Sequence, residues 1–237
     1  MIAARLRRLE RALQVRARGR LFERTLSLAA RDDLVTIGDA GYGGWTVPGA
    51  LLGLDSVCYL AGVGEDITFD LGLIARFGCT VDAFDPVAEA AAHVAEAARH
   101  EPRLRFHPVG LWSSDTTLRF SEPRVAGFVS RSATDMQGTG GGLELPVRGV
   151  RSLMDELGHE TLDLLKISVE GSEYEILDHV VADGIDARIL CVEYAQPAPE
   201  PAAPGRSVAR MKEAGFDLVA ASVLPWNWKL CFVRARR

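Results

Sequence analysis

A chain of 237 residues, 48% hydrophobic and 25% charged with a mean hydropathy of +0.06, is long enough for one full domain and an appendage. No apolar run approaches the roughly 18 residues of a membrane span, and no succession of charged, apolar and small residues marks a leader, which predicts a soluble, cytoplasmic protein. The net charge of −5 is uneven: residues 1–31 carry nine Arg against Glu10 and Glu23, leaving −12 on the rest, and an acidic body argues against nucleic acid as the main partner.

The elements follow in chain order. Leu6, Leu9 and Leu13, then Phe22, Leu26 and Ala29, recur at helical spacing, which predicts an Arg-rich amphipathic arm from Met1 to about Ala30, with residues 1–35 set apart from a domain over 36–237. The arm reads as a homodimerisation helix, an anionic-surface contact, a transit peptide or a helix laid across the body. Ser56 to Ala61 is a continuous apolar run, as for a central parallel strand, and Asp66 to Phe77 follows as a helix with Ile67, Leu71 and Ile74 on its stripe. Strand Thr80 to Phe84, helix Val87 to His100 and strand Leu104 to Pro108 continue the alternation.

Residues 113–148 are irregular and read as an acceptor-side insertion, with short strands at Thr117 to Phe120 and Leu143 to Val147 flanking the loop Gly138 to Gly142. Helix Val150 to Leu157, strand Leu162 to Val169, helix Ser172 to Asp183 and strand Arg188 to Glu193 resume the pattern. A Pro-rich stretch then leads to helix Ser207 to Ala214. The chain closes on Phe216 to Val223, a turn at Pro225 to Asn227 and Trp228 to Val233, an antiparallel hairpin on an otherwise parallel sheet. The fold class is therefore α/β, a Rossmann-like seven-stranded sheet. A reversed final hairpin is the ending of the common methyltransferase sheet, whereas dinucleotide dehydrogenases repeat a second βαβ half.

Cys58, Cys79, Cys191 and Cys231 are scattered without a C-x-x-C or Cys/His cluster and read as buried small hydrophobes.

Gly62 and Gly64 mark a strand-to-helix turn, where backbone approaches a ligand closely and the helix N-terminus offers unpaired N–H groups. Asp85, followed by Pro86, ends the next strand and is placed to accept both hydroxyls of a ribose. Ile67 stands where a dinucleotide fingerprint wants Gly or Ala, and Glu65 and Asp66 would repel a pyrophosphate. The turn suits S-adenosyl-L-methionine, with its ammonium and sulfonium, better than NAD.

Residues 164–173, LLKISVEGSE, resemble the LLKIDxEGxE signature of FkbM-type methyltransferases, and Asp85-Pro86 and the terminal Cys231-Phe232-Val233-Arg234 are similar as well. The resemblance spans roughly residues 40–235. It implies a class I S-adenosylmethionine-dependent fold acting on hydroxyls of sugars, polyketides or related small molecules or glycans. The chain departs from the pattern at Ser168, where the family has Asp, at Leu60-Ala61-Gly62, where it has Asp-x-Gly, and at Tyr194, often His. Glu65 and Asp66 are candidates to replace the missing acid near the methionine ammonium.

Methyl transfer needs an oriented acceptor and a base for its proton. Strand alternation puts Lys166, Ser168 and Glu170 on one face, with Glu170 and Glu193 closing adjacent strands. Glu170 is the expected base or acceptor binder, supported by Lys166 and Glu193. Two such carboxylates resemble half of a Mg²⁺ site, but no third ligand is evident and no metal is assigned. His107 is expected near an adenine, Gly110 and Leu111 hold the adenine position, and Tyr42 to Trp45 reads as an aromatic, glycine-hinged lid. Two other functions are weighed: a cofactor-binding protein without transfer activity, motivated by Ser168, and an NAD-dependent oxidoreductase.

Overall fold

A computed structural model describes residues 15–121, 133, 142–196, 198, 200–224 and 227–235. Leu6, Leu9, Leu13, the glycines at 138 and 140–141, and Pro225 lie outside the described residues. The first described helix, α1, runs over 15–23, and an antiparallel pair follows, β1 (Leu34–Ile37) and β2 (Trp45–Pro48). The main body comprises β3 (Val57–Ala61), α2 (Thr68–Phe77), β4 (Thr80–Phe84), α3 (Ala88–Ala97) and β5 (Leu104–His107). Next come β6 (Gly110–Trp112), β7 (Thr116–Phe120), β8 (Leu143–Gly149), α4 (Val150–Leu157), β9 (Leu162–Ile167) and α5 (Glu173–Ala182). The last elements are β10 (Ala187–Ala195), α6 (Ala203–Glu213), β11 (Phe216–Val223) and β12 (Asn227–Arg234).

Seven strands form one sheet in the order β11-β12-β10-β9-β3-β4-β5. All neighbours from β10 to β5 are parallel, whereas β12 runs antiparallel to both β10 and β11, so the expected terminal hairpin is present. Side-chain alternation divides the apolar strands between two cores. Tyr59 and Ala61 of β3 and Leu190 and Val192 of β10 face the layer of α4, α5 and α6; Cys58, Leu60, Ile189 and Cys191 face α2, α3 and the β1–β2 pair. All four cysteines are buried there, as their apolar settings predicted. The chain runs outward from β3 to β5 on one side and from β9 to β11 on the other. The switch point, where such sheets bind ligands beyond their carboxyl ends, therefore lies between β3 and β9.

Three local readings change. The described arm is helical only to residue 23; beyond it the chain turns extended, and Ala29 N–H donates to the Leu218 carbonyl along the sheet. Phe22 stacks on Trp228 with ring centroids 4.3 Å apart, and Phe22 and Leu26 join the α4–α6 core, so this part of the arm lies across the body. α2 starts at Thr68 instead of Asp66, so Ile67 precedes the helix; Ile67 and Ile74 are buried and Leu71 packs partly buried beside them, as expected, and Phe69, Asp70 and Leu73 widen the buried face. Finally, α6 begins four residues before the expected Ser207, since Pro204 sits comfortably in a first helical turn. The two expected strands of the insertion, β7 and β8, pair with each other, and β6, which was not expected, adds to β8 to make a separate three-stranded sheet, β6-β8-β7. Among the described residues no helix is long and apolar enough to cross a membrane.

Candidate active site

A cavity of about 730 Å³ opens at the switch point, within the range of small-molecule sites. Its floor is the glycine turn after β3. Gly62 has φ +78°, and a Cβ there would overlap the Ser168 carbonyl oxygen, so only glycine lets the turn pass under the loop after β9. Lys166 Nζ, buried in β9, reinforces this crossing by donating to the Gly62 carbonyl at 2.8 Å and the Ala61 carbonyl at 3.5 Å.

Asp85 closes β4 beside the turn. Its Oδ2 accepts the N–H groups of Val63 and Gly64, both at 3.0 Å, and its Oδ1 accepts that of Val87 at 3.0 Å. Burial raises its pKa, opposed by these three N–H groups and by Lys166. A carboxylate has about four acceptor sites, so Oδ2 is filled and Oδ1 retains one. Asp85 thus clamps the turn and borders the cavity with room for a single further donor. That differs from the expected acceptance of both ribose hydroxyls, because the turn's own N–H groups reach the carboxylate first.

The wall near β1 and β2 is the segment between them. Tyr42 is exposed, whereas Trp45 is 3% exposed in β2, so the expected lid stops short of Trp45, which is core. Lys229 of β12 donates to the Tyr42 carbonyl and, at 3.3 Å, to the Gly44 carbonyl, and lies over the Trp45 ring at 5.2 Å. Burial lowers the Lys229 pKa, while the charge of Glu193 opposes that shift. Gly43 packs directly on the Asp66 carboxylate, whose Oδ1 accepts the Thr68 N–H at 2.8 Å at the start of α2. Glu65, also on the cavity, is exposed.

At the opposite end β9 stops at Ile167, two residues earlier than expected, and strand alternation does not carry Glu170. Glu170 instead sits at φ +50° in the turn before α5, a costly conformation for a side-chain-bearing residue, and borders the cavity. Ser168 Oγ lies 3.0 Å from Glu193 Oε2, and Asn227 Nδ2 donates to Oε1 at 2.7 Å. Glu173, fully buried, supports the turn from below by accepting the N–H groups of Gly171 at 2.7 Å and Ala195 at 3.1 Å. Burial pushes its pKa up to about 7 against those bonds.

With this geometry in place, the sequence matches the model of the methyltransferase FkbM domain over residues 63–218, about two thirds of the chain. The chain belongs to the FkbM methyltransferase family. It is 24% identical over 127 residues to "Probable methyltransferase-like protein 24" of Rattus norvegicus, covering 54% of this chain and 29% of that protein. The Homo sapiens protein of the same name matches equally, with 28% of its length covered. The chain thus spans under a third of the curated relatives it matches. The crystal structure of methyltransferase FkbM from Methylobacillus flagellatus superposes with a TM-score of 0.51 at 12% identity, over 76% of this chain and 44% of that one, a likeness of fold.

In this FkbM-family chain, the cavity brings together Tyr42, Gly62, Gly64, Glu65, Asp66, Asp85, Pro86, Gly110, Leu111, Lys166, Ser168, Glu170 and Glu193. Lys166 differs from its expected place with the base: it is tied to the glycine turn. Gly110 and Leu111 open β6, and a Cβ at Gly110 would crowd Pro86 at 3.2 Å. His107 lies differently from the expected adenine contact. Its Nε2 is 2.8 Å from the buried Asp82 Oδ1 and its ring stacks on Phe84 at 4.8 Å. Asp70, Asn227 and Lys229 were missed. The available signal was a lone polar residue in an apolar run, as in residues 67–74, ITFDLGLI, and 228–233, WKLCFV.

Proposed function

We propose that this chain transfers a methyl group from S-adenosyl-L-methionine to a hydroxyl of a small molecule or glycan. The observation that carries the reading is the charge of the cavity at the switch point. Among the described residues six carboxylates border it, Glu65, Asp66, Asp70, Asp85, Glu170 and Glu193, against two lysines that are both engaged with backbone carbonyls. Such a lining favours a cationic ligand and disfavours a pyrophosphate. The glycine turn, held open by Asp85 and Lys166, would carry the nucleoside, with Pro86, Gly110 and Leu111 on the side of β4 and β6. When bound, S-adenosylmethionine supplies a methyl group already activated by its sulfonium.

The chain's own residues then have to orient the acceptor and take its proton. Glu170 is the proposed base or acceptor binder. Glu193, fixed by Ser168 and Asn227, is the proposed orienting carboxylate, which gives the Ser found in place of the family's Asp a positioning role. We assign the cofactor and acceptor to residues 36–237, with 113–148 as the acceptor-side insertion and 1–35 as an arm.

A radiolabelled methyl-transfer screen over sugars and polyketide alcohols tests the reading. Turnover that falls by about 10²-fold or more in Glu170→Gln is expected. Robust turnover surviving that substitution refutes Glu170 as base, and no turnover with any acceptor favours a binding protein without transfer activity.

A further inference from the structure

One carboxylate on the cavity has no task in the reaction just described. Asp70, in the first turn of α2, is 1% exposed, borders the cavity, and its Oδ1 has no hydrogen-bond partner. An unpaired buried carboxylate oxygen is unfavourable in the free protein, and such sites persist where something outside the protein completes them. The other acids around the glycine turn are differently placed. Asp85 holds three backbone N–H groups, Asp66 is engaged by Thr68 N–H and packed on by Gly43, and Glu65 is exposed. Across the same cavity Lys166 directs hydrogens to the Ala61 and Gly62 carbonyls, and an ammonium has three. Burial raises the Asp70 pKa to about 6, with Lys166 from β9 opposing the shift and Asp66 from the turn adding to it.

We propose that Asp70 receives the α-ammonium of the cofactor's amino-acid end, with the remaining Lys166 hydrogen directed at its carboxylate. The inference rests on the S-adenosylmethionine reading above. A buried acid beside a buried ammonium, both facing one cavity, is complementary to a zwitterion. A charge-assisted bond to Oδ1 would satisfy this buried, unpaired oxygen. It assigns ammonium recognition to α2, in place of the acids at Glu65 and Asp66.

The test compares S-adenosylhomocysteine with 5′-methylthioadenosine, which keeps the nucleoside and sulfur but lacks the amino acid, by calorimetry on the wild-type chain and on Asp70→Asn. Affinity for S-adenosylhomocysteine should drop about tenfold or more in Asp70→Asn while affinity for methylthioadenosine stays within about twofold. Equal S-adenosylhomocysteine affinity in the folded variant overturns the assignment. Should the variant fail to fold, the wild-type pH series decides. S-adenosylhomocysteine affinity should weaken from pH 7 to pH 5 as Asp70 takes a proton, with methylthioadenosine flat, and parallel profiles overturn it. A wild type that binds neither ligand contradicts the cofactor reading itself, separately from the role of Asp70.

Discussion

Gly62, Asp85 and Glu173 show how single residues fix the site. Gly62→Ala sets a Cβ into the Ser168 carbonyl at a positive φ, so a loss of more than about 3 kcal/mol in urea unfolding is expected, with the cavity floor displaced. Glu173 gives a pH signature. Its folded pKa of about 7 exceeds the ordinary glutamate value, so the native state holds the proton more tightly than the unfolded chain does. Its contribution is fully present below the unfolded pKa and disappears as pH rises through about 7. Stability should therefore decline from pH 5 to pH 8 by roughly 2–4 kcal/mol, with Asp70 adding in the same direction, and flatten in Glu173→Gln. Melting curves across that range check the sign; a rise in stability over the interval is the contrary result.

At the scale of elements, the sheet was legible because apolar runs buried on both faces leave a continuous signal, and the terminal hairpin because its two runs are separated by a short stretch holding Pro225. The β1–β2 pair was not, since four-residue strands such as Trp45–Pro48 carry too short a pattern. The site was half legible. Gly62, Asp85 and Glu193 announce themselves by position at strand ends, but the duty of Asp85 depends on N–H groups some twenty residues away, and Glu170 reaches the cavity through a left-handed turn that alternation cannot describe. Lys229 belongs to this scale too, joining β12 to the Tyr42–Gly44 segment. Lys229→Met removes both bonds and should raise the cofactor KM several-fold, about 1–2 kcal/mol, with a smaller effect on kcat and faster proteolytic nicking near Tyr42. An unchanged KM and nicking rate would detach Lys229 from the site.

At the scale of the molecule, charge and topology meet. Of the acidic body's carboxylates, six among the described residues border the cavity where the strand order reverses, and the basic arm lies, in its described part, over the β11–β12 end of the sheet, on Leu218 and Trp228. Phe22→Ala should cost about 1–3 kcal/mol of stability, read from urea midpoints, since it removes the stack on Trp228 and the arm's contact with the α4–α6 core; an unchanged midpoint is the contrary result. The central claim is that the reversal point holds a cationic nucleoside whose seat is built by the Asp85 clamp. Calorimetry with S-adenosylhomocysteine, alongside NADH, tests it most directly. Saturable S-adenosylhomocysteine binding that is lost in Asp85→Ala, with no heat from NADH, is predicted; no binding at millimolar S-adenosylhomocysteine, or binding indifferent to Asp85→Ala, would contradict it.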